Sequence, residues 1–223
     1  MRTSFIKLIS TTSVITLLSL SAYADVTDEI EKSFDVNENA SFRLDNVNGS
    51  VQISSWDRAE VKVVAIITAD NQDDRENIVV DMQQTSVGVA VKTRYKEREK
   101  WGQNSNSGKV EYTVTVPSGI SLSAIDLVNG SLKINGVKGE VNAELVNGSI
   151  KAHGLASNSE FSSVNGSIKI TYDEFAKELD RIDVETVNGS IKVSVPKSLS
   201  ATVNAETMHG SIKTDFGLVA EKN

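Results

Sequence analysis

The sequence predicts an all-β chain: a parallel β-solenoid (β-helix-like) of 18–23-residue rungs, preceded by an N-terminal antiparallel β region. Three observations predict it. First, one short word recurs six times. It reads Val47-Asn48-Gly49-Ser50-Val51, then Val128-Asn129-Gly130-Ser131-Leu132-Lys133, and next Val146-Asn147-Gly148-Ser149-Ile150-Lys151. The later copies are Val164-Asn165-Gly166-Ser167-Ile168-Lys169, Val187-Asn188-Gly189-Ser190-Ile191-Lys192 and Met208-His209-Gly210-Ser211-Ile212-Lys213. Second, from Gly130 onward the glycines are spaced 18, 18, 23 and 21 residues apart, a period at which each repeat buries its apolar face only by stacking on its neighbours. Third, apolar and polar residues alternate on both sides of each word, the period of a half-buried strand.

The first 24 residues read as a secretory signal peptide. Arg2 and Lys7 form the basic start, Leu8 to Leu20 the apolar stretch, and Ala22-Tyr23-Ala24 the cleavage site. That stretch is too short for a spanning helix, so the chain is expected to be exported, periplasmic or secreted, and not membrane-spanning. The domain reading that follows is 25–116 as the N-terminal β region and 117–223 as the repeat region continuous with it. The whole sequence carries a net charge of -7, and loss of Arg2 and Lys7 makes the mature chain more acidic still. Such a surface disfavours nucleic acid as a partner. With no cysteine, the exported chain has no disulfide to brace it.

Within the N-terminal region, candidate strands are Ser41–Asp45, Ser50–Trp56, Glu60–Ala69, Ile78–Gln84, Gly88–Tyr95 and Lys109–Val116. Asp70 to Asp74 is a turn cluster, and Ser86-Val87-Gly88 a hairpin bend. Lys96 to Gly108 is a polar loop carrying Trp101, a candidate ligand contact. Pro117 and Pro196 each follow a valine at similar distances before Gly130 and Gly210, which suits the opening of a rung. Asp173 to Arg181 lengthens one rung, with Phe175 and Leu179 spaced to fold inward.

The letters of the word have separate tasks. Residues two and four after the glycine are apolar pairs such as Leu132 and Ile134 (Ile212 and Thr214 in the last copy), and residues three and five before it are Leu127 and Ile125, Leu145 and Ala143, Ser163 and Phe161, and Thr186 and Val184. The parity therefore shifts by one across Asn-Gly, and a corner there lets both strands face one interior. Asn129, Gly130, Asn147, Gly148, Asn165, Gly166, Asn188, Gly189 and Gly210 are the expected corner residues, chosen because Asn and Gly tolerate positive φ. Stacked rungs also place the asparagines above one another, where an internal amide ladder satisfies them.

Outward parity creates columns. Lys133, Lys151, Lys169, Lys192 and Lys213 form one, the serines two residues earlier another, and Asp126, Glu144, Glu185 and Glu206 an acidic one. The lysines either grip an anionic glycan or a partner's edge, or they are a solvated face that discourages aggregation. Val128, Val146, Val164 and Val187 form an apolar ridge if the corner leaves them exposed. Catalysis finds little support. The Ser–Lys pairs recur with the rung instead of forming one site, and His153 and His209 lack companions at metal-ligand spacing. No cofactor motif is present. The Asn-Gly-Ser words match the N-glycosylation acceptor, but their recurrence at rung spacing fits turn chemistry better.

Several of these segments together resemble a bacterial family labelled "putative adhesin", a β-strand-repeat domain of unknown function. They are Phe42-Arg43-Leu44 through Gly49-Ser50-Val51, Val116-Pro117, the Gly-Ser-Ile repeats, and Val195-Pro196 through Gly210-Ser211-Ile212. The resemblance implies a β-solenoid at the cell envelope, without catalytic residues to carry over. The expected function is a non-catalytic exported scaffold that binds an envelope or extracellular partner, glycan or protein. The alternatives are a self-assembling amyloid-like subunit and a carbohydrate-active β-helix enzyme.

Overall fold

The computed structural model describes residues 25–96, 108–173 and 179–197, with Lys213 and Asp215. Residues 1–24, expected to be a signal peptide, and Trp101, Phe175, His209 and Gly210 lie outside the described residues. The elements are β1 (Val26–Asp35), β2 (Ser41–Asn48), β3 (Val51–Trp56), β4 (Glu60–Ala69), α1 (Gln72–Asn77), β5 (Ile78–Thr85) and β6 (Gly88–Tyr95). They continue as β7 (Lys109–Pro117), β8 (Ser121–Asn135), β9 (Val141–Leu155), β10 (Ser159–Tyr172) and β11 (Ile182–Ser194).

The chain is all-β, as expected, and these eleven strands form one sheet of mixed orientation. Antiparallel pairing joins β1 to β4, β4 to β7 and β5 to β6. The remaining pairs are parallel. They include the run β8–β9–β10–β11 and the contacts of β2 and β3 with β8. The first word therefore joins the later ones, because β2 and β3 lie side by side with the two halves of β8. In turn β6 pairs with β2, and β7 with β3. The antiparallel strands β1, β4 and β5 finish that end of the sheet.

Each of β8 to β11 is one strand running through its word, where two strands and a corner were expected. The parity shift is present all the same. In β8, Ile125 and Leu127 before the glycine and Leu132 and Ile134 after it are all buried. The halves thus face a common interior, and the sheet forms a nearly closed, barrel-like wall. One continuous core cluster fills it, from Ala40 to Tyr172. In some of its columns residues of different volume alternate. Phe161 stacks beside Ala143, which in turn stacks beside Ile125, so large side chains use the room left by small ones.

The expected reason for the glycines needs correction. Gly130 and Gly148 have positive φ, 155° and 142°, but Gly166 and Gly189 do not. What the four share is close stacking. A Cβ at Gly130 would sit 2.2 Å from the Gly49 carbonyl oxygen, and one at Gly148 1.6 Å from that of Gly130. At Gly166 and Gly189 the corresponding distances are 1.5 and 1.7 Å, again to the carbonyl oxygen of the glycine one strand back. Backbone meets backbone at this column, and no side chain fits between.

Two elements were not foreseen. β1 carries apolar residues at Val26, Ile30 and Phe34, a spacing of four that hides a strand pairing on one side with β4. Helix α1 occupies part of the expected turn cluster. It is capped by Asn71, whose Oδ1 accepts from the Asp74 backbone N–H at 2.9 Å.

Candidate functional site

The parallel register turns each letter of the word into a column. Asn129 Nδ2 donates to Asn48 Oδ1 at 3.0 Å, and Asn147 to Asn129 at 2.9 Å. Asn165 donates to Asn147 and Asn188 to Asn165, each at 3.0 Å. The amide ladder thus starts one copy earlier than the sequence reading placed it. It also lies on the surface, where an internal position was expected, since Asn129, Asn147, Asn165 and Asn188 are all exposed. Above Asn48 the column ends on Tyr95. Burial pushes the Tyr95 phenol above its usual pKa, partly offset by a hydrogen bond from Asn48. Tyr95 belongs to no word, and only the register of β6 on β2 reveals its place.

This ladder divides the outer surface in two. On the half before the glycine stand the valines and the acids. Val128 and Val146 are each 39% exposed, Val164 42% and Val187 74%, so the ridge faces solvent. Beside it run Asp45, Asp126 and Glu144 in register, then Ser162 and Glu185. Lys92 forms an ion pair with Asp45 at one end. Burial, with Glu144 and Asp45 as neighbours, raises the Asp126 pKa above the usual aspartate value, and Lys92 and Arg43 oppose the rise.

On the half after the glycine stand the serines and the lysines. Lys133, Lys151, Lys169 and Lys192 are exposed and lie directly in register on four adjacent strands. Lys213 is exposed too, although the rest of its word lies outside the described residues. Like charges opposite one another across strands repel, so this column costs stability. Elsewhere Lys62, Lys92 and Lys109 lie against Glu31, Asp45 and Glu111. Among the described residues no carboxylate lies within ion-pair distance of the four stacked lysines, because the acids of the repeat occupy the other half. Lys133, Lys151 and Lys169 line a shallow, open depression of about 230 Å³ together with Asn135, His153 and Thr171. His153 Nδ1 lies 3.5 Å from Asp173 Oδ2 at its side.

This arrangement provides cation and hydroxyl donors in a row. Among the described residues no group of three His, Asp or Glu side chains is placed to hold a metal ion, and no helix is long and apolar enough to cross a membrane. The sequence reading identified the column by parity. What it missed is the lack of counter-ions, which depends on where the acids fall after folding.

No family model matches the chain, and no curated protein matches it in sequence. Solved structures do. A crystal structure of a "putative adhesin" from Bacteroides fragilis is 14% identical, with a TM-score of 0.25 over 74% of this chain and 97% of that one. A "putative lipid binding protein" from Parabacteroides distasonis is 13% identical, with a TM-score of 0.27 over 76% and 97%. A "putative cell adhesion protein" from Clostridium sporogenes has a TM-score of 0.52 at 11% identity, covering 76% of this chain and 100% of that chain. The last is a similarity of fold, carried by architecture at an identity too low to carry a site.

Proposed function

We propose that this chain is an exported, non-catalytic protein of the cell envelope whose stacked words form a β-solenoid scaffold for binding a partner. In this reading residues 1–24 are a leader removed after Ala24. Residues 25–116 and 117–223 then act as one continuous scaffold in the periplasm or outside the cell. The carrying observation is the lysine column: Lys133, Lys151, Lys169 and Lys192 stacked in register without a facing carboxylate. A fold that keeps such repulsion, with acids available on the other half, leaves a charge row open to a partner's anions. The similarity of fold to a "putative cell adhesion protein" is compatible with a binding role. Capture from an envelope fraction tests the reading. Wild type should retain material that Lys151→Glu plus Lys169→Glu loses, and equal retention by both would reduce the column to a solvated face.

One observation favours a second reading, self-assembly. Among the described residues β11 pairs only with β10, and its core-column residues Ile191 and Val193 are 43% and 40% exposed. A strand edge left unpaired recruits further strands, and the sixth word, which would extend the stack past β11, lies outside the described residues except for Lys213. Sedimentation at increasing concentration separates the readings: a monomer at all concentrations excludes assembly through this edge.

A further inference from the structure

Resting on the reading of the lysine face as a binding surface, we propose that its ligand is a linear acidic polysaccharide. The chain lies across the strands, along the stacking direction, with one anionic group on each lysine. The first support is spacing. Lysines on adjacent strands repeat at ~4.8 Å, whereas an extended peptide presents same-side groups only every ~6.6–6.8 Å. A peptide's same-side groups therefore drift out of phase within a few strands, whereas a polymer with one carboxylate on every pyranose ring supplies about one charge for each lysine along the column.

Neighbouring groups support the same ligand. Ser131, Ser149, Ser167 and Ser190 run beside the lysines, and Asn135 and Thr171 line the depression, so hydroxyl and amide groups flank the cations. These are partners for ring hydroxyls. The depression is open and shallow, which suits a long chain held by many weak contacts better than a small molecule that must be enclosed. Membrane binding through this face is disfavoured, because the exposed valines that could enter a lipid interface lie across the asparagine ladder on the other half. The acidic net charge does not prevent contact, since charges beyond ~8–10 Å are largely screened at physiological salt.

The register also identifies where the column stops. Gln52 on β3 is exposed and pairs directly with Lys133, occupying the next place in the row. Gln52→Lys should extend the row by one cation.

The test is calorimetric titration with polygalacturonate, a linear chain with one carboxylate per ring, at physiological ionic strength. Parallel arms use galacturonate monomer, neutral dextran and phosphatidylglycerol vesicles. Wild type should bind the polymer and not the monomer or dextran. Lys151→Gln plus Lys169→Gln should weaken binding by about tenfold or more, and added salt should weaken it further. Gln52→Lys should tighten it several-fold, a gain that misfolding cannot imitate. Equal affinity for wild type and the double variant, or tighter binding to vesicles than to the polymer, would overturn the proposal. If wild type ignores polygalacturonate but still captures envelope material through the lysines, the ligand class is wrong and the binding face stands. If lysine-dependent capture is also absent, both fall.

Discussion

β10 and β11 carry almost the same word in the same register, yet they live in different surroundings. Ile168 is 1% exposed and Ile191, its partner one strand on, is 43% exposed. Ile170 is 0% and Val193 40%, and the outward valines go from 42% to 74%. The word itself is the same, but among the described residues β10 is paired on both sides and β11 on one. Burial in this protein belongs to the stack and not to the repeat, as expected where each repeat stabilises only those beside it. Among the described residues β11, the last strand of the stack, thus serves as an internal control for the interior ones.

Substitutions that exploit this control rank themselves. Ile150→Ala, in a column covered on both sides, should lower stability by about 2–5 kcal/mol, and Ile191→Ala by roughly half of that or less. Denaturant melts of the two variants check it, and equal losses would mean that β11 is as covered as β9. A smaller effect comes from the ladder. Asn147→Ala removes two amide links, to Asn129 and from Asn165, and should cost about 1–2 kcal/mol. Asn188→Ala removes a single link among the described residues and should cost about half as much.

The smallest effect concerns the acids. Asp126 has carboxylate neighbours on both sides, Asp45 and Glu144, whereas Glu185 has Ser162 beside it. Because its folded pKa is raised, Asp126 binds its proton more tightly in the folded state, so its ionised form opposes folding. That penalty is present at neutral pH, shrinks as pH falls through the folded pKa, and is gone below the unfolded value. Asp126→Asn should therefore stabilise at neutral pH by less than about 1 kcal/mol, since solvent screens the site. The gain should vanish in melts near pH 3, and Glu185→Gln should give a smaller one. A gain for Asp126→Asn that is constant across pH would contradict the electrostatic cause.

Much of this was legible in the sequence, for reasons that differ by element. Glu60–Ala69 and Gly88–Tyr95 are short runs rich in β-branched residues bounded by turn signals, and the strands have those bounds. β1 does not alternate, and only pairing with β4 makes it a strand. That the first word joins the stack could not be read from the repeat period, because strands β4 to β7 separate Asn48 from Asn129 by 81 residues. The columns followed from parity, so the lysines could be placed. Their lack of counter-ions depended on a division of the surface that only the folded bend creates. The glycines were assigned to conformation, and Gly166 and Gly189 show that contact between backbones is the more general demand.

Gly166→Ala tests that demand most directly, measured against Gly119→Ala by equilibrium unfolding. Gly166 has no left-handed φ, so a purely conformational role would let alanine replace it at about 1 kcal/mol or less. Its Cβ, however, would fall 1.5 Å from the Gly148 carbonyl oxygen, while nothing lies within 4 Å of one at Gly119. The stacking account predicts loss of about 3 kcal/mol or more, or of soluble protein, for Gly166→Ala and near-wild-type stability for Gly119→Ala. A Gly166→Ala protein that unfolds like wild type would contradict it.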